Sequence, residues 1–144
     1  IAENNLVDVD FKQMEKVNRS EGETYAQDLI TAHPNLGAIF CHSEDPAMGA
    51  ASALEAAGRT DVLIAAFDCS PEIVEGIRNG SIAGTSAQQP VLMGRNAAQA
   101  IVDHLVGKEV EKEITMDTML VTKDNIDDVY DTLVEVALDD GEAK

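Results

Sequence analysis

The chain has 144 residues, a mass of 15.4 kDa, 44% apolar residues and a formal net charge of −17. That length is one domain's worth, able to bury about 70% of the surface its unfolded form exposes. The charge repels phosphate backbones and anionic lipid, and with no Trp and 3% aromatics there is no stacking platform for bases, which excludes nucleic acid as a partner of this piece.

In chain order, short β-like runs alternate with amphipathic helical stretches. Ile1–Leu6 reads as the end of a helix, followed by a strand near Val7–Gln13 and a helix near Ser20–Ala32. A strand over Gly37–Cys41 leads to a helix over Pro46–Ala57, and a strand over Val62–Phe67 to a helix over Pro71–Arg78. A strand over Ile82–Ala87 precedes a helix over Pro90–Val106. A last strand over Ile114–Val121 precedes a helix over Asn125–Leu138, and Asp139–Lys144 is a frayed acidic tail. The runs at Gly37–Cys41 and Val62–Phe67 are apolar throughout, as parallel strands covered on both faces should be. The alternation predicts an α/β fold, a parallel sheet flanked by helices with right-handed crossovers.

Proline and glycine punctuate this pattern. Pro46, Pro71 and Pro90 each suit a first helical turn, with Asp45 and Ser70 placed to cap two of them. Pro34 stops a helix, and Gly58, Asn79-Gly80 and Gly107 mark three helix C-termini. The longest strong apolar run, Val62–Phe67, is far short of a membrane span. The chain begins at Ile1 with no leader pattern, so it is expected to be a processed or cut product.

Open α/β sheets bind ligands at the carboxyl ends of their strands. This chain places Cys41-His42-Ser43-Glu44-Asp45 after Phe40, Asp68-Cys69-Ser70 after Phe67, and Gln88-Gln89 after Ala87. Hydroxyl, carboxylate and amide groups together suit a neutral polyol, because a carboxylate accepts from neighbouring hydroxyls and an amide both donates and accepts. No catalytic set emerges: His42 and Ser43 are adjacent and diverge, and there is no G-x-S-x-G elbow. No metal spacing selects among His42, Glu44, Asp45 and Asp68, and no glycine motif cradles a nucleotide. The residues therefore suggest neither enzyme chemistry nor a metal or other cofactor. Cys41 and Cys69 lack C-x-x-C spacing and are expected to be free thiols.

Four stretches in order carry a family resemblance. They are His33-Pro34-Asn35-Leu36-Gly37-Ala38-Ile39-Phe40, Glu44-Asp45-Pro46-Ala47-Met48-Gly49-Ala50, Gly58-Arg59-Thr60-Asp61-Val62, and Ala66-Phe67-Asp68-Cys69-Ser70-Pro71-Glu72. With Ile77-Arg78-Asn79-Gly80, Ala87-Gln88-Gln89-Pro90 and Met93-Gly94, the series closely resembles the periplasmic sugar-binding proteins of the ribose-binding type. The resemblance runs from Val7 to Asp127 and corresponds to the second half of such a protein. It implies a flavodoxin-like lobe of a type 1 periplasmic binding fold, truncated, with two lobes closing on a sugar in the whole protein.

By that resemblance Asp68 and Gln88 contact ligand hydroxyls, Ser43 sits where the family usually has asparagine, and Val17 sits where it often has a stacking aromatic. Phe67 packs behind or against the ligand, and Arg19 matches a family arginine, here read as loop-anchoring. Residues 1–88 would form part of the C-terminal ligand-binding lobe, and residues 89–144 the crossover helix with the closing strand and helix. The apolar stripe Ala97, Ala98, Ile101, Val102 and Leu105 would then pack on a missing N-terminal lobe or drive self-association. The function implied is the non-enzymatic solute-binding component of an ABC-type sugar importer, periplasmic or otherwise extracytoplasmic (secreted or lipid-anchored), with a membrane permease as partner. The alternative is the effector-binding domain of a LacI-like regulator, which shares the fold.

Overall fold

The computed structural model describes residues 7–130, so the expected helix end at Ile1–Leu6, the acidic tail, and the C-terminal helix beyond Tyr130 lie outside the described residues. Within the described residues, helices and strands alternate as α1 (Arg19–Ala32), β1 (Ala38–Phe40), α2 (Glu44–Ala56), β2 (Leu63–Phe67), α3 (Pro71–Asn79), β3 (Gly84–Ala87), α4 (Pro90–Leu105) and β4 (Met119–Thr122). The chain turns helical again from Ile126 to Tyr130. Punctuation works largely as read. Ser70 caps α3 by accepting from the Ile73 N–H at 3.2 Å, and Gly80 ends it with φ 87°. Asp45 is a correction: it lies inside the first turn of α2, and Ser43 holds the cap position.

The sheet order is β1-β2-β3-β4. β1, β2 and β3 run parallel, with Phe40 opposite Ala65 and Phe67 opposite Ser86. β4 runs antiparallel to β3, with Thr85 opposite Val121, so the expectation of a wholly parallel sheet is corrected at its last strand. Between β3 and β4 the chain passes through α4 and residues 106–118 before it comes back alongside β3 in the opposite direction. The last strand is also shorter than the Ile114–Val121 run, beginning only at Met119. Gly84 makes the β3–β4 approach possible, because a Cβ there would lie 2.9 Å from the Val121 carbonyl oxygen.

Two expectations about strands fail for one reason. Val7–Gln13 forms no strand and is exposed, with Val7 and Phe11 at 79% and 80%. Its alternation of apolar and polar residues has no neighbouring strand to pair with among the described residues. It is fixed instead at Asp10, whose carboxylate meets His33 at the end of α1 at 3.3 Å and Lys12 at 3.1 Å. Those hydrogen bonds, from Lys12 first and then His33, lower the Asp10 pKa. Likewise β1 and β2, apolar at each position, are buried only at alternate residues. Ile39, Ile64 and Ala66 face the core, while Phe40 and Leu63 stay 68% and 60% exposed.

The core lies between one sheet face and the α2–α3 layer. Ile64, Ile73, Val74, Ile77, Ile82 and Val121 are its largest fully buried apolar side chains, each contributing about 1.5–3 kcal/mol by leaving water. α1 packs along α2 at backbone range, where a Cβ on Gly22 would lie 2.7 Å from the Pro46 Cα. Arg78 ties α3 to the last described helix through Asp127 at 2.7 Å and the face of Tyr130 at 5.6 Å.

Candidate ligand-binding site

The parallel strands end side by side, so the segments leaving them stand about 4.8 Å apart in the pairing direction. β1 continues through Cys41, whose N–H donates to the Ala65 carbonyl at 2.8 Å, and β2 through Asp68, whose N–H donates to the Ser86 carbonyl at 3.1 Å. Ser43, Asp68 and Gln88 thus follow three consecutive strands at one edge, as the sequence reading requires.

Asp68 and Gln88 meet directly: the Gln88 Nε2 donates to Asp68 Oδ1 at 2.5 Å. That bond leaves the second carboxylate oxygen and the Gln88 carbonyl as acceptors, with one further amide proton as donor. Asp68 has φ 78°, the left-handed region that non-glycine residues rarely enter. Its carbonyl accepts from the Thr85 hydroxyl at 2.6 Å. Ser43 presents a different feature. Its Oγ is buried and has no hydrogen-bond partner among the described residues, so although Ser43 holds the cap position of α2, only its carbonyl accepts from that helix, from the Ala47 N–H at 3.4 Å. Phe67 is half-buried at the end of β2, and Val17 is 54% exposed just before the Asn18 cap of α1. The structure therefore groups Asp68 with Gln88 by contact, and Ser43 and Phe67 with them by strand position. Val17 lies before α1 and not at a strand end, so strand position does not group it with them.

Around this edge the charge is mostly negative. Glu44, Asp45 and Glu72 lie in the first turns of α2 and α3, where helix dipoles favour them. Arg19 answers all three: it bonds Asp45 at 3.1 Å, pairs with Glu72, and lies 4.0 Å from Glu44. Its charge is thus spent on joining helix starts, which agrees with an anchoring role. His42 is exposed. Cys41 and Cys69 are both free thiols, and burial pushes the Cys41 pKa up to about 11. Among the described residues, no group of three or more His, Cys, Asp or Glu is placed to hold a metal ion.

A groove of about 400 Å³ runs between α4 and the 111–118 segment and shares Gln88 with this edge; Met93, Asn96, Ile114 and Met116 also line it. Asp68, Ser43 and Phe67 do not line it. The sequence reading missed Thr85 and the acidic partners of Arg19. A threonine on the core-facing side of a strand was the available signal for the first, since a buried hydroxyl needs a partner.

The fold is that of a known class. Residues 4–109 match the periplasmic binding protein domain, and the chain belongs to that family. It is 35% identical over 112 residues to the ribose import binding protein of Bacillus subtilis, a match covering 78% of this chain and 36% of that one. The ribose import binding protein of Escherichia coli is 34% identical over 106 residues, covering 74% and 36%. Among solved structures, a periplasmic ribose ABC transporter protein of Conexibacter woesei superposes with a TM-score of 0.83 at 25% identity, covering 90% of this chain and 45% of that one. A solute-binding protein of Agrobacterium vitis, solved with bound allitol, gives 0.77 at 26%, covering 88% and 45%. The chain thus spans little more than a third of the length of these curated relatives.

Proposed function

We propose that this chain is part of the solute-binding component of an ABC-type sugar importer. It binds a neutral sugar or polyol through hydrogen bonds at the carboxyl edge of its sheet, and it catalyses no reaction. The observation that carries this reading is the Gln88–Asp68 bond beside the unpartnered Ser43 hydroxyl. A bound sugar hydroxyl can donate to the free Asp68 oxygen while another accepts from the remaining Gln88 amide proton, so binding pairs groups that the Asp68–Gln88 bond leaves open. Glu44, Asp45 and Glu72 around that edge disfavour anionic ligands. Phe67 packs against the ligand from the end of β2, and Val17 flanks it without a ring to stack.

Residues 1–88 are part of one ligand-binding lobe in this reading. Residues 89–144 supply the crossover helix and the closing strand and helix that pack on, or return from, the complementary lobe. The names of the relatives support transport over a regulator's effector domain, an extracytoplasmic location, and a membrane permease as partner.

Titration calorimetry of the full-length gene product against neutral sugars, polyols and sugar acids tests the reading. The expected result is saturable binding of one or a few neutral members and none of the acids. Asp68→Ala should weaken that binding about ten- to a hundredfold, as loss of a charge-assisted hydrogen bond does. Preference for an acid sugar, or unchanged affinity in Asp68→Ala, would contradict it.

A further inference from the structure

We propose that Thr85 is a positioning residue for the ligand-binding carboxylate, acting through the backbone of Asp68; this rests on the reading of Asp68 as a sugar contact. Asp68 is the one non-glycine residue among those described with a positive φ, at 78°. Left-handed backbone crowds the Cβ of an L-residue, so something must hold the chain there. Both sides of the residue are held by β3. On one side the Asp68 N–H donates to the Ser86 carbonyl at 3.1 Å, extending the ladder past the end of β2. On the other, the Asp68 carbonyl accepts from the Thr85 hydroxyl at 2.6 Å.

Thr85 is an unusual residue in its place. It is 1% exposed, on the core-facing side of β3, opposite Ala66 on one strand and Val121 on the other. A valine has nearly the same shape and would bury no hydroxyl, so packing alone gives no reason for threonine. The hydroxyl has one proton, and it goes to Asp68. Two bonds from one strand thus fix the peptide groups on both sides of Asp68. With those fixed, its side chain leaves the turn toward Gln88, where the 2.5 Å bond orients the carboxylate. Without the hydroxyl, the Asp68 carbonyl loses that bond, the following peptide is free to turn, and the carboxylate loses its fixed aim. Thr85 itself is too buried to touch a ligand, so its effect is indirect.

The test compares Thr85→Val and Thr85→Ser in the full-length gene product by two readouts. One is the NMR signal of the Gln88 side-chain amide without ligand, and the other is sugar affinity by calorimetry. Thr85→Val should move the amide signal toward that of a free glutamine and weaken binding about tenfold. Thr85→Ser keeps the hydroxyl and should restore both. An unmoved amide signal with wild-type affinity in Thr85→Val would overturn the proposal, and so would failure of serine to restore them. If Thr85→Val does not fold, Thr85→Ala against Thr85→Ser makes the same comparison. If the wild type binds none of the sugars, the functional reading fails, and the amide signal still decides whether Thr85 holds Asp68.

Discussion

α3 and α4 both start with a proline and both carry apolar side chains, yet they make opposite use of them. α3 has 9 residues and buries Ile73, Val74, Gly76 and Ile77, its apolar side chains joining the core. α4 has 16 residues, begins likewise with a proline, and buries none. Its Ile101, Val102 and Leu105 remain 62%, 52% and 77% exposed. The sheet repeats the contrast, with Ile39 and Ile64 covered on one face, and Phe40 and Leu63 exposed on the other. An apolar stripe says that a surface wants to be buried; only the neighbouring elements decide where. The α1–α3 side finds its partners within the chain, whereas α4 and the outer sheet face stay uncovered among the described residues.

The largest expected effect breaks this comparison if it is wrong. Ile77→Ala, at a residue 1% exposed, should cost the chain about 2–5 kcal/mol. Ile101→Ala on α4 should cost no more than about 0.5 kcal/mol. Urea unfolding followed by circular dichroism measures both, and equal losses would mean that α4 is packed within the chain after all. Gly22→Ala comes next. Its new methyl meets the Pro46 backbone, which cannot swing aside, so a loss of about 1–3 kcal/mol is expected from the same unfolding curves.

The two serine caps give a finer version of the contrast. Ser70→Ala removes a made cap bond and should cost about 1 kcal/mol. Ser43→Ala removes a hydroxyl that bonds nothing among the described residues, so stability should hold or rise slightly in the same unfolding curves. The smallest effect is alkaline. Burial raises the Cys41 pKa from its ordinary 9.0 to about 11, so the folded state holds that proton more tightly than the unfolded state. This contribution is fully present below pH 9 and disappears as pH climbs toward 11. Cys41→Ala should therefore show a shallower loss of stability across that window than the wild type.

The parts of the fold that depend on local chemistry could be read in the sequence. Pro71 and Ser70 start α3, Gly80 ends it, and the apolar runs around Ile39 and Ile64 locate β1 and β2 within a residue or two. The parts that depend on neighbours could not. Val7–Gln13 has a strand's alternation without a strand beside it, and β4's direction follows from the route of the chain after α4, which no residue pattern encodes. The site divides similarly. Strand-end position makes Asp68, Gln88 and Ser43 candidates, but the left-handed turn at Asp68 and its tether to Thr85 arise from strands meeting in space. Asp68 carries no glycine-like signal that would have revealed the turn.

The most direct test of the central claim is hydrogen exchange of the full-length gene product with and without its sugar. Ligand contact at this edge predicts slower exchange at the backbone amides of Ser43–Asp45, Asp68–Ser70 and Gln88–Gln89, with α4's exposed face unchanged by direct contact. Saturating sugar that slows exchange elsewhere and leaves those three segments as they were would contradict the assignment of the site.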